Sequence, residues 1–190
     1  MLIHLMAGEM NIDNEKIKSI ELLVLDVDGV LTDGKFTIMP NGDEYKSFNS
    51  KDGAGIKYWM RTGGKVALIS GRDSKVVSLR AKELGIETVR QGCKNKAPVL
   101  LEVLEELNTE PSAAIAVGDD LPDLPMFHIC GLSACPSDAV EEVKQTADYV
   151  CETRSGEGCV REVVEMMLRA TGKWETIMER YRPGDDRSQG

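Results

Sequence analysis

Three short apolar runs in this chain each end in a cluster of polar side chains. The apolar runs cover residues 22–25, 66–69 and 113–117. The clusters that follow them are Asp26-Val27-Asp28-Gly29-Val30-Leu31-Thr32-Asp33, Ser70-Gly71-Arg72-Asp73 and Gly118-Asp119-Asp120. Carboxylates that share one site repel each other and are costly to desolvate unless a cation or a proton compensates their charge. Since oxygen ligands without histidine favour a hard divalent cation, Asp26, Asp28, Asp119 and Asp120 together predict a magnesium site.

Composition narrows the possible chemistry further. The chain has two histidines, His4 and His128, which argues against a mechanism that needs two or three of them. The net charge of −9 argues against a nucleic-acid partner, although a local basic pocket could still bind a small anion. Five cysteines without a C-x-x-C pair indicate reduced, mostly buried thiols. Without a long apolar run or a signal-peptide pattern, we expect a cytoplasmic protein and no membrane partner.

The elements that must position the acidic clusters alternate along the chain. Helical patterns separate the three strong apolar runs and the weaker strand candidates at 86–89, 132–134 and 148–151. Such alternation predicts an α/β fold, in which a doubly wound parallel sheet is covered by helices on both faces. Because ligands bind at the carboxyl ends of parallel strands, we expect the three clusters to converge on one crevice. The predicted helices are residues 54–61, 74–84, 97–107, 139–145 and 159–170.

One segment interrupts this alternation. Residues 35–48 contain two short runs on either side of an Asn-Gly pair, Asn41-Gly42, which predicts a β-hairpin that projects after the first strand. The length of 190 residues is sufficient for one domain and short for two. We expect an N-terminal extension of weak structure at 1–19, the α/β domain at 20–172 and a flexible tail at 173–190.

Taken together with Lys96, the three clusters resemble the haloacid dehalogenase superfamily of phosphatases, which carries four short motifs on a doubly wound fold. Residues 26–30 match the first motif, Ser70 the second, Lys96 the third and residues 118–120 the fourth. The resemblance covers about residues 21–172. From position alone Lys94 is an alternative to Lys96, since both stand just before a predicted helix.

The resemblance implies hydrolysis of a phosphomonoester through an aspartyl-phosphate intermediate. Asp26 would attack phosphorus, which splits the displacement into two steps. Asp28 would protonate the leaving alkoxide and then deprotonate the water that hydrolyses the intermediate. Ser70 and Lys96 would hold the phosphoryl oxygens.

The resemblance also implies Mg²⁺ as the cofactor. The Asp26 carboxylate, the Asp28 backbone carbonyl and Asp119 would bind the ion, and Asp120 would support its water shell. An alternative of another class is a phosphoacceptor signalling or binding module without turnover, which also pairs aspartates with a lysine. An acid two residues after the nucleophile favours turnover, because it can protonate the leaving group.

Many relatives carry a lid domain, but neither interval between the motifs has room for one here. A bare crevice would leave the intermediate open to water, so we expect a second subunit to complete the site. Capless members with a hairpin after the first motif closely resemble the 3-deoxy-D-manno-octulosonate 8-phosphate phosphatases of lipopolysaccharide precursor synthesis. That resemblance implies a homotetramer with shared active sites, in which residues 155–158 reach a neighbour. We therefore expect residues 157–190 to be removable without unfolding the domain.

The same resemblance implies a small phosphorylated sugar acid as substrate. The alternative substrate is a nine-carbon, sialic-acid-type keto-sugar 9-phosphate, against which Arg72 argues because that branch tends to have an acidic residue there. Guanidinium groups suit a sugar carboxylate. The positions implied to contact substrate are Asn49, Ser50, Lys51, Asp52, Gly53, Lys57, Gly71, Arg72 and Arg80.

Overall fold

Six parallel strands form the central sheet of the protein. The computed structural model describes residues 14–182. The six strands are β1 (Leu22–Leu25), β4 (Lys65–Ile69), β5 (Thr88–Arg90), β6 (Ala114–Val117), β7 (Leu132–Cys135) and β8 (Tyr149–Val150). The strand order is β5-β4-β1-β6-β7-β8, so the chain winds outward from β1 in both directions. The expected α/β fold with a doubly wound parallel sheet is confirmed.

Helices cover both faces of this sheet. The helices are α1 (Asn14–Ser19), α2 (Ser50–Arg61), α3 (Lys75–Leu84), α4 (Lys96–Glu106), α5 (Leu124–Phe127), α6 (Glu141–Thr146), α7 (Cys159–Ala170) and α8 (Trp174–Glu179), with 3₁₀ turns at Pro111–Ala113 and Leu121–Asp123. The side chains of Leu23 and Leu25 enter one core with α1, α2, α3, α7 and α8, and those of Leu22 and Val24 enter the other with α4, α5 and α6. Burial on both faces explains why β1 is a continuous apolar run.

The predicted hairpin is present between β1 and α2. It consists of β2 (Thr37–Ile38) and β3 (Glu44–Tyr45), which pair antiparallel around the Asn-Gly turn. Gly42 has φ = +86°, a left-handed conformation that glycine adopts without steric cost. In the described part of the chain, this hairpin is the only element that joins β1 to α2, so no cap domain is inserted there.

Both ends of the described chain are more ordered than expected. We expected weak structure through residue 19, yet residues 14–19 form α1, whose Ile17 side chain is buried in the core. We expected a flexible tail from residue 173, yet α8 buries Trp174 and Ile177. These apolar side chains stabilise the ends by packing on the domain. The expectations for residues 1–13 and 183–190 lie outside the described residues. Among residues 14–182, no helix has the length and apolarity that a membrane crossing requires.

The expectation that residues 157–190 could be removed is wrong. Helix α7 lies against α2, and its inward side chains belong to the larger core. Deleting this helix would remove that part of the core and leave its apolar partners open to water. Its buried side chains are Cys159, Val160, Val163, Val164, Met167 and Leu168.

Candidate active site

The loops after β1 and β6 meet at the carboxyl edge of the sheet. Asp26 follows β1 directly, is 6% exposed and donates its backbone N–H to Val117 O of β6 at 3.0 Å. A Cβ on Gly29 would lie 2.0 Å from Asp119 Oδ2, and Gly29 has φ = +97°. Glycine is therefore required at position 29, both for the left-handed backbone and for the close approach of Asp119.

Lys96 joins this edge from the first residue of α4. The preceding Asn95 caps the helix by accepting a hydrogen bond from Ala97 N, and this cap directs Lys96 inward. Its Nζ lies 2.6 Å from Asp26 Oδ1 and 2.6 Å from Asp123 Oδ1. Lys94 is exposed, so the structure decides between the two candidate lysines in favour of Lys96.

Asp123 is a functional candidate that the sequence analysis missed. It is buried in the 3₁₀ turn after β6, and its Oδ2 accepts hydrogen bonds from the backbone N–H groups of Asp119 at 2.9 Å and Asp120 at 3.3 Å. A Cβ on Gly118 would lie 2.3 Å from Asp123 Cβ, which explains the glycine before the acidic pair. The spacing Gly118-Asp119-Asp120-x-x-Asp123 was the available signal, because a turn brings residues three and four apart to one side.

Three carboxylates form a compact group at this edge. Asp26, Asp119 and Asp123 each offer one oxygen, and these oxygens lie within 4.8 Å of one another. Burial, reinforced by Asp26 and Asp123, raises the pKa of Asp119 to about 8. Burial and the Asp123 carboxylate raise the pKa of Asp26 to about 6, although Lys96 opposes the rise. Clustered oxygens that resist ionisation in this way fit a hard divalent cation, which would compensate their charge.

Asp120 lies outside the compact carboxylate group, and its support of the metal's water shell stays a prediction. Its exposed side chain accepts a hydrogen bond from Leu121 N at 2.8 Å and caps the 3₁₀ turn. Among the described residues, Asp123 rather than Asp120 completes the group with Asp26 and Asp119. The reason is geometric, since the 3₁₀ turn directs Asp123 back toward the sheet while Asp120 remains at its outer end.

Asp28 lies beside this group with a different set of partners. Its carboxylate oxygens are 2.5 and 2.7 Å from Lys46 Nζ, and Arg72 Nε is 3.9 Å away. Lys46 comes from the hairpin, directly after β3, and its side chain has no exposure to solvent. We predicted Arg72 from the family resemblance but not Lys46, because a lysine in a hairpin has no local signal of burial.

The hairpin is anchored to the loop after β4 by Arg72. Its Nη2 lies 3.2 Å from Glu44 Oε1, and its guanidinium stacks on the Phe36 ring at 3.8 Å from the centroid. Ser70 is buried at the end of β4, and its hydroxyl oxygen accepts a hydrogen bond from Arg72 N at 3.3 Å. The predicted residues Ser70, Gly71 and Arg72 therefore form one loop. Arg72 is the residue of this loop that lies beside Asp28.

The remaining predicted substrate positions lie around the start of α2. Asn49 caps this helix by accepting from Lys51 N at 2.9 Å, and its Nδ2 donates to Gly156 O at 3.2 Å. Gly156 packs so closely on the loop after β1 that a Cβ there would lie 2.5 Å from Asp33 N. Residues 155–158 therefore pack against their own chain, and their contact with a neighbour stays a prediction. Ser50 is exposed like Lys51, and Lys57 is half-buried.

Asp52 and Gly53 contribute to packing in this structure. Asp52 is 1% exposed, and its Oδ1 accepts from Arg161 N at 2.8 Å at the start of α7. The buried Asp52 carboxylate caps the start of α7, which disfavours the substrate contact that the resemblance implied for Asp52. A Cβ on Gly53 would lie 2.4 Å from Arg80 Nη2, and Arg80 donates to Asn49 O at 3.4 Å.

The arrangement around Asp26 suits attack by a carboxylate on an electrophile that carries negative charge. Asp26 is held by Lys96, beside a group of oxygens that fits a cation, and Asp28 stands two residues away. A fixed ammonium and a bound cation would stabilise negative charge that develops in a transition state. A second carboxylate nearby can transfer the proton that a leaving oxygen needs.

Comparison with known proteins supports the same chemistry. A family model described as haloacid dehalogenase-like hydrolase matches residues 86–163. The 3-deoxy-D-manno-octulosonate 8-phosphate phosphatase of Escherichia coli strain K12 is 43% identical over 158 residues, which is 83% of this chain and 84% of the relative.

Two solved structures extend the similarity to the whole fold. The phosphatase of that name from Yersinia pestis has a TM-score of 0.84 at 38% identity, covering 85% of this chain and 88% of its own. The one from Moraxella catarrhalis, in complex with magnesium ion, phosphate ion and a KDO molecule, has a TM-score of 0.86 at 35% identity, covering 89% and 97%.

Proposed function

Because the chain belongs to the haloacid dehalogenase-like phosphatases, we propose that it hydrolyses 3-deoxy-D-manno-octulosonate 8-phosphate through an aspartyl-phosphate intermediate. The observation that carries this proposal is the buried Asp26 carboxylate, held at 2.6 Å by Lys96 and adjacent to Asp119. The similarity to phosphatases of that substrate over most of the chain supports the choice of sugar. The reaction would serve lipopolysaccharide precursor synthesis.

In this proposal Asp26 is the nucleophile. A carboxylate oxygen of Asp26 forms a bond to phosphorus while the bond from phosphorus to the sugar oxygen breaks. Lys96 orients Asp26 and stabilises the charge of the phosphoryl oxygens, since its ammonium is buried between Asp26 and Asp123. Although burial would lower the pKa of Lys96, Asp26 and Asp123 raise it, which keeps the ammonium charged.

Asp28 is the proposed general acid and base. It transfers a proton to the departing sugar oxygen and later takes one from the water that hydrolyses the Asp26 phosphate. Its carboxylate is half-buried between the two loops that approach it, the one after β1 and the hairpin. Ser70 is the proposed donor to a phosphoryl oxygen from the end of β4.

Mg²⁺ is the proposed cofactor. Asp26, Asp119 and the backbone carbonyl of Asp28 would hold it, with Asp123 supporting the group from behind. When bound, Mg²⁺ supplies Lewis-acid stabilisation of the negative charge on the transferring phosphoryl group. The magnesium complex of the Moraxella catarrhalis phosphatase supports this assignment.

We also propose a homotetramer in which the hairpin contributes to the subunit interface. Its exposed side chains are unusually apolar for a two-stranded projection, which is marginal in water by itself. Contact with copies of the chain would cover them. The exposed apolar side chains of the hairpin are Phe36, Ile38, Met39 and Tyr45.

The substrate proposal is tested by a screen of phosphorylated sugars in the presence of Mg²⁺. We expect the highest kcat/KM for 3-deoxy-D-manno-octulosonate 8-phosphate, compared with nine-carbon keto-sugar 9-phosphates and simple hexose phosphates. The Asp26→Asn variant is the control, because contaminating phosphatases would be unaffected by that change. A higher kcat/KM for a nine-carbon substrate would overturn the choice of sugar and leave the reaction class intact.

A further inference from the structure

The hairpin has two chemically different faces. Glu44 and Lys46 lie two residues apart and are directed toward the catalytic loops, while Tyr45 between them is 64% exposed. Side chains alternate between the faces of a strand, so one strand can carry a polar inner face and an apolar outer face. The outer face, with Tyr45, belongs to the surface proposed for subunit contact. The inner face lies within the same chain and contacts Asp28.

Lys46 is the centre of the inner face. Its side chain is fully buried, and its Nζ bridges both carboxylate oxygens of Asp28 at 2.5 and 2.7 Å. Burying an ammonium group is costly unless a close ionic partner and hydrogen bonds compensate the lost hydration. The two-oxygen contact also removes the freedom of the Asp28 side chain to rotate about its terminal torsion, which is otherwise a soft motion.

Lys46 is itself held in place by the loop after β4. Glu44 Oε1 lies 3.4 Å from Lys46 Nζ and 3.2 Å from Arg72 Nη2. Arg72 in turn stacks on the ring of Phe36, which stands just before the first strand of the hairpin. These contacts join the hairpin to the catalytic edge, and the pair of Lys46 with Glu44 has little exposure, so it resists screening by salt more than a surface pair does.

We propose that Lys46 is a positioning residue, which fixes the Asp28 carboxylate toward the leaving-group oxygen and makes the hairpin one wall of its own active site. The inference deepens the proposed function and rests on it, because it needs Asp28 to act on a leaving group. It concerns the orientation of the carboxylate. Displacement of a reacting group by about 1 Å can cost about 10²-fold in rate, so loss of the bridge has a large kinetic effect.

The first test compares Lys46→Met with wild type on two substrates. We expect kcat for 3-deoxy-D-manno-octulosonate 8-phosphate to fall about tenfold to hundredfold with little change in KM. The loss on p-nitrophenyl phosphate is expected to be much smaller, since its leaving group needs little protonation. Lys46→Arg, which keeps a cation at this position, is expected to recover part of the rate. A loss confined to KM would make Lys46 a substrate-binding group and overturn the inference.

The matched control is Lys35→Met. Lys35 is on the same hairpin, but its side chain is 87% exposed and pairs with Asp33 at 3.4 Å. We expect wild-type kinetics from this variant, because it contacts none of the proposed catalytic groups. An equal loss in Lys35→Met and Lys46→Met would show a general effect of hairpin charge and would contradict the inference.

A double-mutant cycle separates positioning from support of the fold. In an Asp28→Asn background, Lys46→Met is expected to cause no further loss of kcat, because residues that act as one unit are not additive. The double variant removes both charges of the pair, so it remains informative even where Lys46→Met alone does not fold. A further loss in the double variant relative to Asp28→Asn overturns the inference.

The cycle also distinguishes this inference from the proposed function. If wild type hydrolyses another alkyl phosphate better than the octulosonate 8-phosphate, the substrate proposal fails, and the same cycle on that alkyl phosphate still tests Lys46. If Asp26→Asn keeps wild-type activity, the proposed mechanism fails, and the inference fails with it. Non-additive losses at Asp28 and Lys46, together with an inactive Asp26→Asn, support both the proposed mechanism and the positioning role of Lys46.

Discussion

Two carboxylates at the same sheet edge each pair with a lysine, but the two lysines come from very different parts of the molecule. Asp26 is held by Lys96 at 2.6 Å, from a helix packed on the sheet, and Asp28 by Lys46 at 2.5 Å, from a two-stranded projection. The first pair is supported by the core of the domain. The second depends on a small element whose other face is exposed, so the proposed nucleophile and the proposed general acid have separate structural supports.

The largest effect is expected from the pair in the core. Asp26→Asn should reduce turnover below the detection limit for all phosphomonoesters, because the nearly isosteric amide cannot attack phosphorus. Circular dichroism and thermal unfolding should remain close to wild type. Retention of a tenth of wild-type activity, after deamidation is excluded by mass spectrometry, would remove Asp26 from the nucleophile role.

The pair on the hairpin should give a smaller and substrate-dependent loss. Asp28→Asn should cost about 10²–10⁴-fold in kcat for a sugar phosphate, the usual contribution of general acid catalysis. The loss should be much smaller with p-nitrophenyl phosphate, and Mg²⁺ binding should persist, since the backbone carbonyl is unchanged. Equal losses on both substrates would contradict a proton-transfer role.

Asp120 and Asp123, the two acids after Asp119, can be compared by their effect on Mg²⁺ affinity. Asp123→Asn should weaken Mg²⁺ binding, measured by calorimetry, about tenfold to hundredfold, because Asp123 supports the Asp119 backbone and Lys96. Asp120→Asn is the matched control, since its exposed carboxylate caps a turn outside the group, and should change the affinity little. The reverse order would restore Asp120 to the role first expected for it.

The raised pKa values of Asp119 and Asp26 predict that two quantities change with pH in opposite directions. These are the unfolding free energy of the metal-free protein and its affinity for Mg²⁺. Folded-state pKa values of about 8 and about 6 lie above the unfolded value, so protonation favours the metal-free fold. From these groups alone, the unfolding free energy without Mg²⁺ should rise as pH falls from above 8 toward 4.

Since metal ligands must be deprotonated, Mg²⁺ affinity should instead fall as pH drops from about 8 to about 6. Calorimetric titrations at several pH values and chemical denaturation with chelator present check both halves. A Mg²⁺ affinity independent of pH in this window would contradict the clustered geometry.

The smallest effect on the chemistry is expected at the outer face of the hairpin. Tyr45→Glu places a charge on a side chain that is 64% exposed, and should shift the protein toward smaller species in light scattering by disfavouring burial of that face. Activity on p-nitrophenyl phosphate should be largely kept. Leu79→Glu, at a side chain 69% exposed on α3, is the control and should leave the assembly unchanged. Equal dissociation by both changes, or by neither, would remove the hairpin from the interface.

Sequence patterns were sufficient for the sheet, the hairpin and the acids that directly follow strands. Four apolar residues in a row at 22–25 predict a strand covered on both faces, and Asp26 then has to lie at its carboxyl end. The start of α2 was placed too late, since Asn49 caps a helix that begins at Ser50. The order of residues 14–19 and 174–179 was not foreseen, because Ile17, Trp174 and Ile177 are stabilised by distant partners.

The amino-acid sequence by itself determined which loops carry chemistry, because strand and helix periodicity decide where each strand ends. Only the tertiary structure decided which side chains reach one another. Lys96, which the family resemblance had favoured, is directed inward by a helix cap. Asp123 is brought to the group by a turn, and Lys46 reaches Asp28 across 18 residues of chain. Periodicity is a local property, whereas the burial of a charge depends on the partners that the whole fold brings to it.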